Sequence, residues 1–170
     1  TVLGVAPDGA VLIFWHRSFG ADDEFAYLRS ETGGRTFGAP LRLSREPWRF
    51  GSCPGASPSL AVDATGAVRF VFQIMLPGSP ARSAFMSDTS SDGRRFKPRT
   101  HLDVAGFDDA RHPQLVQDGE GGLSLAWDGI RNGRRYVMVR HSPGPPGRGG
   151  GTDADWMRTA PPIALDHSGQ

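Results

Sequence analysis

Arginine supplies nearly all the positive charge in this chain: of 19 basic residues, only Lys97 is a lysine. A guanidinium is a planar fork of donors that matches a carboxylate with two parallel hydrogen bonds, which an ammonium cannot do. Four arginines stand out by position. Arg49 and Arg111 occupy comparable segments between repeated units, and Arg17 and Arg131 occupy equivalent loops within them. Asp109 and Asp128 lie close by in sequence, residue types that act as an acid or accept hydroxyl protons. Together they would suit a small ligand bearing a carboxylate and hydroxyls. The plainer alternative is a set of solvated loop arginines and turn-capping aspartates.

Other chemistries find less support. His16, His101, His112, His141 and His167 include no pair at metal-ligand spacing, so no metal site and no cofactor are expected. Gly149-Gly-Gly151 lacks the Lys-Ser/Thr of a phosphate loop. The single cysteine, Cys53, rules out an internal disulfide; it reads as a buried thiol or as one paired outside this sequence. A formal net charge of +1 argues against nucleic acid or a membrane surface held by bulk charge. No apolar run reaches membrane-spanning length, and no signal peptide is visible at Thr1.

The elements that must position these residues repeat. Leu3, Leu60 and Leu115 each precede a glycine by six residues (Gly9, Gly66, Gly121). Apolar residues follow at Val11/Ile13, Val68/Phe70 and Leu123/Leu125, then an aromatic at Trp15, Phe72 and Trp127. The repeat steps are 57 and 55 residues. Alternation with a period of two, punctuated by glycine turns, predicts strands throughout. Each unit reads as four of them: Thr1–Ala6, Val11–Trp15, Phe25–Arg29 and Leu41–Leu43 in the first. The second gives Ser59–Val62, Val68–Phe72, Ala84–Ser87 and Thr100–Leu102; the third gives Gln114–Gln117, Leu123–Trp127, Tyr136–Arg140 and Ile163–Leu165. The expected fold is all-β, a propeller of four-stranded antiparallel blades spanning 1–50, 51–110 and 111–170. Three blades cannot close a ring of about four to eight, so further blades or a second copy would complete it.

A second signature closes the units. Ser30-Glu-Thr-Gly-Gly34-Arg-Thr36-Phe37 and Thr89-Ser-Ser-Asp92-Gly93-Arg-Arg-Phe96 each join a side-chain oxygen, a glycine suited to positive φ and a closing aromatic, the makings of a compact turn over a packed ring. Both resemble the Asp box of sialidases and other BNR-repeat propellers, Ser-x-Asp-x-Gly-x-Thr-Phe/Trp, although Thr32 and Ser91 stand where that family has Asp. In the third unit, Ser142 and Trp156 are separated by a Gly/Pro-rich insertion at 143–151. Trp48-Arg-Phe-Gly-Ser-Cys53-Pro54 and Asp109-Ala-Arg111-His-Pro113 are similar to segments that open blades in bacterial members of the group.

The resemblance spans essentially the whole chain and implies half of a six-bladed sialidase-type propeller. It implies that the boxes are structural and peripheral, and that any ligand sits in a central funnel. The funnel would be lined by the inter-blade segments 44–58 and 104–113 and by the loops 16–24, 73–82 and 128–135. It also implies a glycan or other small acidic ligand, a secreted or cell-envelope location, and an exo-sialidase activity or a purely binding role. Catalysis in that family uses three arginines, a Tyr/Glu nucleophile pair and an Asp acid/base. Tyr27 and Tyr136 fall in third strands, where packing is the expected role, so no catalytic residue is assigned.

Overall fold

The computed structural model describes residues 1–19, 22–43, 58–63, 66–76, 82–90, 93–96, 100–102, 110–118, 122–142 and 163–165. The described residues form twelve β-strands and no helix. The first four are β1 (Val2–Val5), β2 (Val11–Phe19), β3 (Asp22–Ser30) and β4 (Leu41–Arg42). Next come β5 (Ser59–Val62), β6 (Val68–Leu76), β7 (Arg82–Ser90) and β8 (Thr100–Leu102). The last are β9 (Arg111–Gln117), β10 (Leu123–Arg131), β11 (Arg134–Ser142) and β12 (Ile163–Leu165). They make three four-stranded sheets in chain order, β1–β4, β5–β8 and β9–β12. Every pairing is antiparallel. The fold is all-β.

The central hairpins are longer than apolar alternation predicts. Where the sequence reading ends the second strands at Trp15, Phe72 and Trp127, they continue to Phe19, Leu76 and Arg131. The described residues of segments 16–24, 73–82 and 128–135, read as loops, are therefore ladder apart from one two-residue turn. In the third sheet the turn is only Asn132-Gly133, with φ of 51° and 73°. Two consecutive positive φ values match the right-handed twist of a two-residue hairpin, and Asn-Gly is the pair best able to adopt them. The ladder thus outruns the hydrophobic core.

The middle sheet is covered on both faces, as its alternation dictates. Val68, Phe70 and Phe72 meet Leu12, Phe14, Phe25 and Tyr27 of the first sheet in one buried cluster. Phe14 stacks on Phe70 (centroids 4.5 Å, 17° between planes), and Phe25 meets Phe72 edge-on at 4.6 Å. From the opposite face, Ala61 and Val71 join Leu115, Leu123, Leu125, Trp127 and Met138 of the third sheet. Each of the larger side chains contributes roughly 1.5–3 kcal/mol by leaving water.

The first strands of the three sheets are neighbours, β1 against β5 and β5 against β9. At Gly4 a Cβ would lie 2.5 Å from Leu60 Cδ2, so any larger residue there would push the end of the Leu60 side chain aside. Ser59 Oγ accepts a hydrogen bond from Leu115 N–H at 2.8 Å, tying β5 to β9. The sheets also run in the same sense. Phe25 meets Phe72 toward the β2–β3 hairpin, whereas Tyr27 meets Phe96 (5.2 Å) toward the β3–β4 connection. The molecule therefore has a hairpin end and a box end.

Candidate functional site

Antiparallel connection places the β2–β3, β6–β7 and β10–β11 hairpins and the start of β9 at the hairpin end. Four polar residues of the third sheet lie there: Arg111, His112, Asp128 and Arg135. Arg111 opens β9 opposite Asp128 of β10, next to a register shift between Ala126 and Asp128. A bulge of this kind re-aims side chains at the rim of a sheet. His112 takes φ 51° immediately before Pro113, a strained backbone for a non-glycine residue and one that proline further disfavours. Its Nδ1 lies 2.5 Å from Asp128 Oδ1. Asp128 Oδ2 accepts from Arg135 Nη1.

This arrangement defines what each group can do. Both Asp128 oxygens are engaged, one with His112 and one with Arg135. Asp128 is therefore a positioning carboxylate rather than a free acid. Its contact with Nδ1 fixes the orientation of the His112 ring. The His112 side chain is 38% exposed and that of Asp128 only 17%, so the imidazole is the accessible partner. His112 and Arg135 both contact one carboxylate, and Arg111 is its register partner across the ladder, a local set of donors suited to an acidic ligand.

The other residues singled out from sequence fall as follows. Arg17 is in β2 and pairs with Glu24, which is only 2% exposed and also pairs with Arg42. It holds a buried carboxylate in place on the first sheet. Arg111 and Asp128 are strand residues, not loop residues, because the ladder extends past the apolar pattern; Arg131 ends β10. Arg49, Asp109 and Asp92 lie outside the described residues. Tyr27 is buried, and its hydroxyl donates to the Gly93 carbonyl. Tyr136 packs against the core between the second and third sheets. Among the described residues, no group of three or more His, Cys, Asp or Glu could hold a metal ion.

His112 and Arg135 are the functional candidates that the sequence reading passed over. The Asn-Gly turn was the available signal for Arg135, since it places residues 131 and 134 opposite each other and 128 within reach of 135. Nothing in one-dimensional spacing pairs residue 112 with residue 128 across a bulge.

The box end is built differently. Ser30 Oγ accepts from Gly34 N–H (2.8 Å), and Thr32 Oγ1 accepts from Thr36 N–H (2.9 Å), so Thr32 does the work that an Asp would do. Gly34 and Gly93 have φ of 88° and 63°. Thr89 lies in β7. Phe96 packs edge-on against Phe14 and Tyr27, closing its turn over the core. Phe37 departs from the expected packing: it is 40% exposed. The two boxes are linked by Arg94 Nη2 donating to Glu31 Oε1 at 2.8 Å, and Arg29 joins Glu31 to Asp8. The Glu31 carboxyl is held below its ordinary value by the hydrogen bonds from Arg29 and then Arg94.

No protein-family model matches the chain, and no curated protein matches it.

Proposed function

We propose that this chain is part of a sialidase-like β-propeller that binds a glycan carrying a terminal acidic sugar. The carrying observation is at the hairpin end of the third sheet, where His112 and Arg135 hold Asp128 and Arg111 stands opposite it in register. The repeated four-stranded meanders, their neighbouring first strands and the two box-like turns support the propeller reading. On this reading Arg111 would face the sugar carboxylate and His112 its hydroxyls. Both tyrosines of the chain are engaged in core packing, which favours binding over hydrolysis by these residues. A secreted or envelope location belongs to the same reading.

Propeller logic also assigns partners to the end sheets. Leu3 and Val5 of β1 are each 60% exposed, and in register they share a face with Ile13 and Val11. The equivalent residues of the other two units (Leu60, Val68 and Phe70; Leu115, Leu123 and Leu125) are packed against the preceding sheet. Another sheet of the same repeat, in the same polypeptide or in a second copy, would cover this face. The test of function is titration of the chain with N-acetylneuraminic acid. Arg111→Lys should weaken binding by about 1–3 kcal/mol, the scale of a charge-assisted hydrogen bond. Unchanged affinity in that variant would remove the acidic-sugar reading.

A further inference from the structure

The box end holds a cavity of about 520 Å³, at the opposite pole from Arg111 and Asp128, lined by residues of both the first and second sheets. That is within the roughly 300–1,000 Å³ of small-molecule sites. The large apolar side chains it leaves exposed are Phe37 and Leu41, at 40% and 45%. Leu41 is the register partner of Tyr27 and so shares the face that packs against the second sheet. These apolar groups therefore stay open to solvent although the neighbouring sheet is in place. The equivalent Phe96 is taken up between sheets, so the box turn does not itself require an exposed ring.

The polar side of the cavity is equally specific in kind. Glu31 and Arg94, from different boxes, meet at 2.8 Å and both line it. The hydroxyls of Thr32 and Thr36 stand 2.9 Å apart on the same wall. Glu31 and Arg94 balance one another. The third charged residue of the lining, Arg29, has a side chain only 10% exposed and is already bonded to Glu31 and Asp8. A strongly charged ligand of either sign would meet a like charge in that pair, and a lipid tail would leave the ion pair unsolvated. One aromatic face, a paired carboxylate and guanidinium, and two hydroxyls are the groups that hold a pyranose. Its C–H face lies on the ring, and its hydroxyls bridge acceptor and donor.

From this we propose that the cavity between the two boxes is a second, independent binding site for a neutral sugar ring, stacked on Phe37 and hydrogen-bonded by Glu31 and Arg94. It does not rest on the acidic-sugar reading of the hairpin end. The test is saturation-transfer NMR with the methyl β-glycosides of glucose, galactose and N-acetylglucosamine, each presented alone at millimolar concentration. At least one should receive saturation on the protons of one ring face. Phe37→Ala should weaken it roughly five- to tenfold, the effect of losing one aromatic contact, and Phe37→Trp should retain it. Arg94→Ala should also weaken it. The Phe37→Ala protein should keep its binding of N-acetylneuraminic acid, which separates the two sites. No transfer to any of the three glycosides, or transfer unaffected by Phe37→Ala, overturns the proposal.

Discussion

Phe70 and Phe37 make a controlled pair, because the same deletion should cost very different amounts at the two positions. Phe70 is fully buried. It stacks on Phe14 at 4.5 Å, meets Phe25 at 4.9 Å and 84°, and leans on Phe72 at 5.3 Å. Phe70→Ala loses the transfer energy of a buried ring and leaves a cavity between two sheets, about 3–5 kcal/mol. Three aromatic partners, each worth about 0.5–1.5 kcal/mol beyond area, place it in the upper half of that range. Phe37 is 40% exposed, so Phe37→Ala should cost about 1 kcal/mol or less. Urea unfolding followed by tryptophan fluorescence reads both variants, with an unchanged slope showing that compactness is preserved. Should Phe70→Ala fail to fold, Phe70→Leu, which keeps most of the volume, gives a milder version of the same comparison. Equal losses at the two positions, or a Phe70 loss under about 1.5 kcal/mol, would refute the inter-sheet core described above.

Three further outcomes follow. Ser59→Ala should cost about 1–3 kcal/mol, because it strands the Leu115 amide between β5 and β9; native-state hydrogen exchange should show that amide losing protection. Glu31 titrates below its ordinary 4.5, so its bridge between the boxes is present at neutral pH and above, and is lost as pH falls through the depressed value. Acid unfolding of Glu31→Gln should accordingly be less pH-dependent below pH 4.5 than that of the unchanged chain. The exposed face bearing Leu3 and Val5 should drive concentration-dependent association, measured by light scattering; Leu3→Glu should suppress it, and a strictly monomeric unchanged chain would contradict the end-face assignment.

The strands were legible because a sheet covered on one or both faces writes its sidedness into alternate residues. Val68, Phe70 and Phe72 announce a buried face whatever lies opposite. The hairpin extensions were harder to see because past Trp15, Phe72 and Trp127 the ladder leaves the core, and apolar alternation stops marking it. The boxes were legible as turns, since Ser30, Gly34 and Gly93 are demanded by local backbone geometry. What became of each closing aromatic was not, because that depends on the neighbouring sheet: Phe96 is received by Phe14 and Tyr27, whereas Phe37 borders a cavity. Of the site, arginine and aspartate types were readable, but their engagement was not. Arg17 is committed to Glu24, and Asp128 to His112 and Arg135, through cross-strand register and one bulge that spacing along the chain does not encode.

Amide chemical-shift mapping during titration with N-acetylneuraminic acid decides whether the hairpin end of the third sheet binds an acidic sugar. Shifts should concentrate at Arg111, His112, Asp128 and Arg135 and weaken together in Arg111→Lys, with Thr32, Gly34 and Gly93 unmoved. Shifts centred on the box end, or none at saturating ligand, would contradict the acidic-sugar reading.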